Sequence, residues 1–550
     1  MSGSRPRMAG AAAMLSLATL LSRILGLVRE QIFAALLGAG FYGDAFTMAF
    51  RLPNLLRDLF AEGALSAAFQ PAFLVEEKQH GREAAFRLAS LVMALLVLVV
   101  GGLTLLGVVL APQLVATWAA GYQAVPGKAE LTVLLTRVMM PFLLLVSLAA
   151  VAMGMLNAQQ RFVAPALAPA LFNLAAVLGG GGLWFFGIGR TRTAAIGWAV
   201  ATLCGGLLQL GVQLVPLRRD GFRLSLRLTR ADLQSPGLRQ IVWAMAPATI
   251  GLMATQVNIY VSSSFASTED GAVTWLQVAF RLMQLPIGMF GVAVGTVALA
   301  QAAERASETD LKLALDGVRD TLRRGLLLVS FYTLPTAAAL WVLAEPVLRL
   351  IYQHGAFQAR DTLAATEALR YYALGLWAYA AIKVVAPVFY AVRRVRIPVI
   401  ATVIAVLVGV LWNLSLHPHY GYRALALGTS VTAVVNLVVL LLCFSRYYGG
   451  LWRAEVVLGL CRVAVAAVVS GLVMWATLSA LLGKSATAAG TTATSPAWAL
   501  VLVAVAGTAG GGSYVGLCWL MGVKEVKEAG EALRRRARRI TSRRESPPSS

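Results

Sequence analysis

Apolar stretches long enough to cross a lipid bilayer recur from one end of this 550-residue chain to the other. A membrane-spanning helix needs about 20 predominantly apolar residues, and only helices or closed β-barrels satisfy their backbone hydrogen bonds inside lipid. No stretch alternates polar and apolar residues as a barrel strand does. Because 59% of the residues are hydrophobic and only 13% are charged, there is no room for a large soluble domain. We therefore predict an all-α polytopic membrane protein.

About fourteen transmembrane helices are predicted from the apolar runs. The first run has a basic start like that of a signal peptide, but it continues past any small-residue cleavage site and contains Arg23 and Arg29. We therefore interpret it as a retained helix. The predicted helices, numbered in chain order, are 9–37, 41–75, 88–112, 130–156, 162–187, 193–216, 238–265, 271–302, 325–352, 362–392, 397–416, 421–446, 454–482 and 496–522.

The distribution of basic residues predicts the orientation of these helices. With the N-terminus inside, the inner segments hold 31 Lys and Arg residues and the outer segments hold 6. Cytoplasmic loops carry such an excess, so both termini are predicted to be cytoplasmic. The same loops account for the net charge of +22, and the basic tail 524–550 is expected to lie against anionic lipid headgroups. Nucleic acid is not an expected partner.

Two short motifs occur twice, and the second copies follow the first at nearly the same offset. "AFRLPNLL" at 49–56 returns as "AFRLMQLP" at 279–286, and "AQQRFVAP" at 158–165 returns as "AVRRVRIP" at 391–398. They predict two six-helix lobes, 1–220 and 221–450, related by a pseudo-twofold axis along the membrane normal, as in transporters. Predicted helices 13 and 14, at 451–523, lie outside the repeat. The repeat pairs Arg51 with Arg281.

Charged residues are concentrated in the first two predicted helices. An arginine at the bilayer centre costs about 2.5–3.5 kcal/mol, so such residues usually face a bundle interior or a water-filled cavity. One interpretation is that they form internal ion pairs, which we favour for Asp58. For the arginines we favour an anion site, because acids do not match them in the central helices and guanidinium groups suit phosphate. The charged residues are Arg23, Arg29, Glu30, Asp44, Arg51, Arg57, Asp58 and Glu62.

Signals for an enzyme or a metal site are weak. The four cysteines stand singly in apolar segments, and His417 and His419 have no third ligand nearby in the sequence. No nucleophile or acid–base set stands out, so we expect a transporter that is not an enzyme and needs no cofactor. Coupling to the membrane potential or to a monovalent cation both stay open.

The chain resembles the MurJ (MviN) lipid II flippases of the multidrug/oligosaccharidyl-lipid/polysaccharide exporter superfamily. The resemblance covers all fourteen predicted helices. It is carried by "SRILGLVRE", "GAGFYGDAFTMAFRLPNLLRDLFAEGALSAAFQPAF", "LNAQQRFVAPALAP", "RLMQLPIGMFGVAVGT" and "YQHGAF". It implies an inner-membrane carrier that moves undecaprenyl-pyrophosphate-linked peptidoglycan precursor to the outer leaflet for cell-wall synthesis. It further implies that 451–523 forms a groove for the lipid tail.

The resemblance also implies roles for individual residues. The central cationic residues of the family match Arg23, Arg29, Arg57 and Arg281, while Asp44 and Glu62 match functional acids and Glu30 stands where many members have Asp. Phe280 and Gln284 replace acids that often flank Arg281 in the family. We hypothesise that the two lobes alternate access while the arginines, with Arg51, bind pyrophosphate. Glu30, Asp44 and Glu62 would gate the site or balance its charge.

Two other functions stay open at this stage. One is a related exporter of another lipid-linked glycan or a multidrug antiporter, although an antiporter should have a less cationic and more aromatic cavity. The other is a non-transporting scaffold that binds the lipid-linked precursor or recruits cell-wall synthesis proteins. Lipid II and membrane lipids are the expected partners of the flippase.

Overall fold

The computed structural model describes residues 5–57, 64–229, 232, 234–308, 310–487 and 495–526. Within these ranges the regular structure is helical throughout, which confirms the predicted all-α class. Asp58, Glu62 and the part of the basic tail from residue 527 onward lie outside the described residues.

Nineteen α-helices of the described residues are labelled α1 to α19 here. A 3₁₀ turn at Ala120–Ala124 follows α5, and a π-helical segment at Ile287–Val292 joins α11 to α12. The helices are, in order, Arg5–Leu37, Phe41–Arg57, Ala64–His80, Arg82–Val109, Ala111–Trp118, Lys128–Met139, Pro141–Ala158, Val163–Phe185, Arg192–Arg219, Pro236–Ala266, Ala272–Pro286, Ala293–Ala306, Leu311–Val342, Ala344–Tyr352, Ala359–Ala391, Arg396–Tyr420, Tyr422–Tyr448, Ala454–Thr487 and Pro496–Leu520.

Helical structure occurs at every predicted helix position. Eleven helical segments of the described residues are long and apolar enough to cross a membrane, and they correspond to predicted helices 3–6 and 8–14. The remaining predicted helices, 1, 2 and 7, correspond to α1, to α2 with α3, and to α10.

Several predicted helices are divided in the structure. Predicted helix 4 consists of α6 and α7, which meet at Met140 and Pro141, and a proline is favoured at a first helical position because its missing N–H is not needed there. Predicted helix 9 begins earlier, at Leu311, where the Asp310 side chain accepts from the Lys312 amide at 2.8 Å. A short separate helix, α14, then completes it.

Packing divides the chain into two compact units. The first comprises 1–275 with 351–361, and the second comprises 276–350 with 362–550. In the first unit, α3, α4 and α7 surround a core that includes Phe69 and Phe142. In the second unit, α18 and α19 pack on α13, where the Tyr514 hydroxyl donates to the Phe331 carbonyl at 2.6 Å. The predicted lobes, 1–220 and 221–450, were defined by the sequence repeat, whereas these two units are defined by packing. The lobe boundaries therefore stay a prediction.

The repeated motif at 158–165 and 391–398 has the same backbone turn in both places. Gln160 and Arg393 each have a positive φ, of 59° and 58°. In each turn the next amide, of Arg161 or Arg394, donates five residues back, at 2.8 and 2.9 Å. This is the Schellman ending of a helix, which usually has glycine at the positive-φ position. The same unusual turn in both copies of a motif is what an internal repeat produces.

Candidate functional site

The arginine and the acid in the middle of α1 form an ion pair. The Arg29 guanidinium donates to Glu30 Oε1 through Nη2 at 2.6 Å and through Nε at 3.1 Å. It also lies over the Phe172 ring, 5.4 Å from the ring centroid. Glu30 is buried, with 8% of its surface exposed, while Arg23, nearly two turns earlier, is exposed. Arg29 is therefore held by an aromatic face and a carboxylate.

The end of α2 brings a second arginine to the same region of the first unit. Arg57 is the last residue of α2 and is partly buried. It is close enough to Arg29 for their like charges to interact, and Tyr352 also contributes to the electrostatic environment of Arg29. Two guanidinium groups that repel each other favour an anion between them, because the anion attracts both.

The other two predicted arginines have different surroundings. Arg51 Nη1 donates to Ser263 Oγ of α10, so this side chain is directed to α10. Arg281 lies in α11, in the second unit, and is partly buried. Its chain neighbour Phe280 packs edge-on against Tyr372, with ring centroids 5.4 Å apart.

A buried ion-pair network surrounds Asp44 at the start of α2. Asp44 Oδ2 accepts from Lys128 Nζ at 3.1 Å and from the Gly271 amide at 2.7 Å. Its Oδ1 accepts from the Thr274 amide at 3.0 Å and from Thr274 Oγ1 at 2.7 Å. Lys128 also donates to Asp270 Oδ1 at 2.7 Å. We call Asp44, Lys128, Asp270 and Thr274 the outer cluster, because loop charge predicts this end to face outward.

Two of these charges are almost completely excluded from solvent. The side chains of Asp44 and Lys128 are 0% and 1% exposed, whereas that of Asp270 is 58% exposed. The Tyr122 ring covers the ammonium group at 4.4 Å. Burial, together with the Asp44 carboxylate, raises the pKa of the Tyr122 phenol, so this group stays neutral. The Asp44–Lys128 pair is thus a hydrogen-bonded ion pair excluded from water, and Asp270 forms the exposed edge of the outer cluster.

Further contacts join other connections at the same end of the first unit. The Arg190 amide donates to the Leu36 carbonyl at 2.9 Å, and the Ala356 amide donates to the Ala35 carbonyl at 2.8 Å. Arg190 Nη2 donates to the Ala356 carbonyl at 2.6 Å. Gly355 has a φ of +56°, and a Cβ there would lie 2.6 Å from the Ala35 oxygen. The connections after α1, α8 and α14 therefore meet closely.

Trp275 adds one more connection to this end. Its indole Nε1 donates to Asp361 Oδ1 at 3.1 Å, and Asp361 Oδ2 accepts from the Gln358 amide at 2.9 Å. Asp361 is 1% exposed. The connection that leads from α14 into α15 is thereby tied to the start of α11.

Sequence reasoning included Asp44 but missed its partners. Lys128 was counted as a loop charge, and Asp270 and Thr274 were given no role. One signal could have identified Thr274: it follows Asp44 by 230 residues, and the two copies of "AFRL" are separated by the same offset. Residues related by a twofold repeat contact each other when they lie near the axis.

Comparison with known proteins identifies the family. The family model described as "Lipid II flippase MurJ" matches residues 33–486. The chain belongs to this family. A "Probable lipid II flippase MurJ" of Rhizobium tropici is 36% identical over 495 residues, covering 89% of this chain and 91% of the relative. A "Lipid II flippase MurJ" of Burkholderia cenocepacia is 32% identical, covering 92% and 96%.

Solved structures show the same fold. A structure described as "Lipid II flippase MurJ, inward closed conformation" superposes with a TM-score of 0.74 at 23% identity, covering 92% of this chain and 98% of the other. An inward-facing multidrug resistance MATE family transporter of the MOP superfamily gives 0.63 at 16% identity, covering 80% and 98%. The family prediction is confirmed. The roles of the individual site residues stay a prediction.

Proposed function

We propose that this chain is a lipid II flippase of the bacterial inner membrane, with both termini cytoplasmic, and that it works by alternating access. Membership of the MurJ family supports the substrate. The helical segments that are long enough to cross a membrane support the location. The fold shared with a MATE transporter supports a carrier that is not an enzyme.

The observation that supports the substrate site is the electrostatic influence of Arg57 on Arg29, both in the first unit. Their like charges interact, and Glu30 is paired with Arg29. A pyrophosphate between the two guanidinium groups would relieve their repulsion, and guanidinium groups bind phosphate oxygens in a bidentate manner. Arg23, Arg51 and Arg281 stay part of the proposed site on sequence grounds alone.

The outer cluster supports a closed outer end as one state of the cycle. Asp44 joins α2 to α6 and α11, and the Arg190 and Trp275 contacts close the neighbouring connections. Opening this end would expose the buried Asp44–Lys128 pair to water and would separate Asp44 from Thr274, so closure and opening differ in free energy. Asp44 would therefore act as the gate residue, with Glu30 balancing charge at the arginines. Glu62 stays part of the proposal on sequence grounds alone.

The membrane potential is the proposed driving force. Each elementary charge that crosses the field is worth about 2.3 kcal/mol per 100 mV. A potential negative inside therefore drives the anionic lipid outward and returns the empty cationic site inward. Coupling to a monovalent cation is the alternative.

A leaflet assay of lipid II in cells that depend on this protein alone tests the proposal. Arg57→Ala and Arg281→Ala should leave lipid II inaccessible to an external probe at normal protein levels. Arg57→Lys should also impair flipping, because an ammonium group cannot bind in a bidentate manner. Arg137→Ala is the matched control, since this exposed arginine of α6 bonds only to the Val108 carbonyl among the described residues.

Three results would contradict parts of this proposal. Normal flipping by the Arg57 and Arg281 variants would exclude the arginine site. Normal growth without any outward movement of lipid II would favour a scaffold, and export of a different lipid-linked glycan would favour a related exporter.

A further inference from the structure

The inner end of the second unit contains a cavity of about 250 Å³ that the proposed transport cycle does not use. Apolar side chains of α12, α13 and α15 form most of its wall, and Arg393 and Tyr448 are its polar members. Loop charge predicts that this end lies at the cytoplasmic surface of the membrane. An apolar wall with an arginine at its edge suits the phosphate and glycerol region of a phospholipid.

Arg393 and Arg394 have no carboxylate partner among the described residues. Three acids near this end are paired locally: Glu308 with Arg305, Asp316 with Arg319 and Asp320 with Arg323, at 2.9, 2.7 and 2.5 Å. Arg394 instead lies over the Tyr447 ring, 4.5 Å from the centroid, and interacts with the Tyr448 side chain. Two adjacent guanidinium groups therefore remain available to an anion.

The first unit provides an internal comparison, because the same Schellman turn occurs there in the first copy of the motif. Gln160 stands in the place of Arg393, and Arg161 stands in the place of Arg394. At that junction Asp220 pairs with Arg161 at 2.5 Å and with Arg82 at 3.1 Å. The chain therefore neutralises the first junction with its own carboxylate.

The second junction has no such acid among the described residues. Helix α9 ends at Arg219 and is followed by Asp220 and Gly221, and the corresponding α17 ends at Tyr448 and is followed by Gly449. Both glycines have a positive φ. Tyr448 thus precedes the glycine where Asp220 does in the first unit, and the turn beside it has two arginines, Arg393 and Arg394, where the first turn has one, Arg161. Because the backbone turn is the same, the two junctions differ in their side chains. The second junction has positive charge that no carboxylate of the described residues balances.

We propose that the cavity at the 391–398 junction binds the headgroup of an anionic phospholipid of the inner leaflet. The phosphodiester takes the position that Asp220 has in the first unit and contacts Arg393 and Arg394, while the glycerol and upper acyl carbons fill the apolar cavity. The binding involves no covalent step. It is independent of the proposed site for lipid II, since none of the arginines of that site takes part.

Photocrosslinking of the full-length protein in lipid nanodiscs tests this proposal. The probe is phosphatidylglycerol with a photoactivatable headgroup, and adducts are located by peptide mass spectrometry. We expect adducts at 391–398 or 446–450 in the wild type, reduced about 25-fold by Arg393→Gln with Arg394→Gln, since each basic residue near the surface contributes about fivefold. Arg161→Gln with Arg223→Gln removes two charges from the first unit and should leave these adducts unchanged.

Competition identifies the source of the phosphate. Unlabelled phosphatidylglycerol should suppress the adducts, whereas phosphatidylcholine and inorganic phosphate should not. Equal labelling of the wild type and the Arg393/Arg394 variant would overturn the proposal. Suppression by inorganic phosphate alone would also overturn it, because the site would then bind a soluble anion, and suppression by phosphatidylcholine would show that headgroup charge is not recognised.

Discussion

Replacement of Asp44 by asparagine should weaken the closed outer end. The amide oxygen can keep both hydrogen bonds from Thr274, but the new NH₂ group then faces two other donors, Lys128 Nζ and the Gly271 amide. A buried donor left unpaired costs about 1–3 kcal/mol, and removing one partner of a buried ion pair costs about 3–5 kcal/mol. We therefore expect Asp44→Asn to destabilise the closed outer end by about 3–5 kcal/mol.

Maleimide labelling can measure this change. Thr47 is 2% exposed and lies one turn after Asp44 on the same helix face, so a cysteine there is protected while the outer end is closed. The reporter Thr47→Cys is placed in a chain whose four native cysteines are replaced by serine. Because about 1.4 kcal/mol corresponds to a factor of ten, labelling by a membrane-impermeant maleimide should rise about 100-fold or more with Asp44→Asn, up to the limit of full opening.

Asp270→Asn is the matched control for this experiment. It removes a carboxylate from the same ammonium group, but that carboxylate is 58% exposed and water replaces its hydrogen bond. Exposed pairs contribute about 1 kcal/mol or less, so labelling should rise less than about fivefold. If the reporter is labelled no faster with Asp44→Asn than without it, at normal protein levels, Asp44 does not hold the outer end closed. If Asp44→Asn and Asp270→Asn raise labelling equally, burial does not explain the effect.

Glu30, Gly355 and Tyr122 can each be tested by substitution. Glu30→Gln should raise the affinity for a soluble undecaprenyl-pyrophosphate analogue about three- to tenfold in a binding titration, because Arg29 loses its competing carboxylate. Gly355→Ala should lower the free energy of unfolding by about 1–3 kcal/mol in thermal unfolding, because its φ is +56° and a Cβ would meet an α1 backbone oxygen. Tyr122→Phe should leave the labelling of the reporter cysteine unchanged, since its buried hydroxyl has no hydrogen-bond partner among the described residues. Tyr122→Leu should raise that labelling about fivefold or more, because the cation–π contact with Lys128 is lost.

The sequence predicted the helices well because the bilayer imposes one simple requirement on each of them. Runs of about 20 apolar residues identified all eleven segments that are long and apolar enough to span a membrane. Interruptions were harder to predict. The division at Pro141 and the π-helical segment after Pro286 depend on how proline is accommodated, and a proline can bend, end or begin a helix.

The candidate site was predictable only in part, for a physical reason. Charges in the first two helices could be recognised locally because each is costly in lipid. The partners of Asp44 lie 84 residues away at Lys128 and 230 residues away at Thr274. Hydropathy placed Lys128 in a solvated loop, whereas packing buries it. Only the 230-residue offset of the repeat contained information on such distant contacts. It paired Arg51 with Arg281, but the same offset from Asp44 leads to Thr274.

The strength of the outer cluster has to match the forces that open it. A closed outer end that is favoured by a few kcal/mol would stay closed in all but a small fraction of empty carriers. If the proposed substrate brings two negative charges to the arginines, a potential of 100 mV supplies about 4.6 kcal/mol when both cross the field. The two quantities are of the same size, so the loaded carrier can open while the empty carrier stays closed. If the closed outer end were more stable by several kcal/mol, the loaded carrier would stay closed. If Lys128 were not buried there, the carrier would open even when no substrate is bound.

Asp44→Asn should therefore increase opening of the empty carrier while reducing the dependence of transport on the membrane potential, which flipping assays at two imposed potentials can measure. An unchanged dependence in that variant would mean that the outer cluster is not the element that responds to the charged substrate.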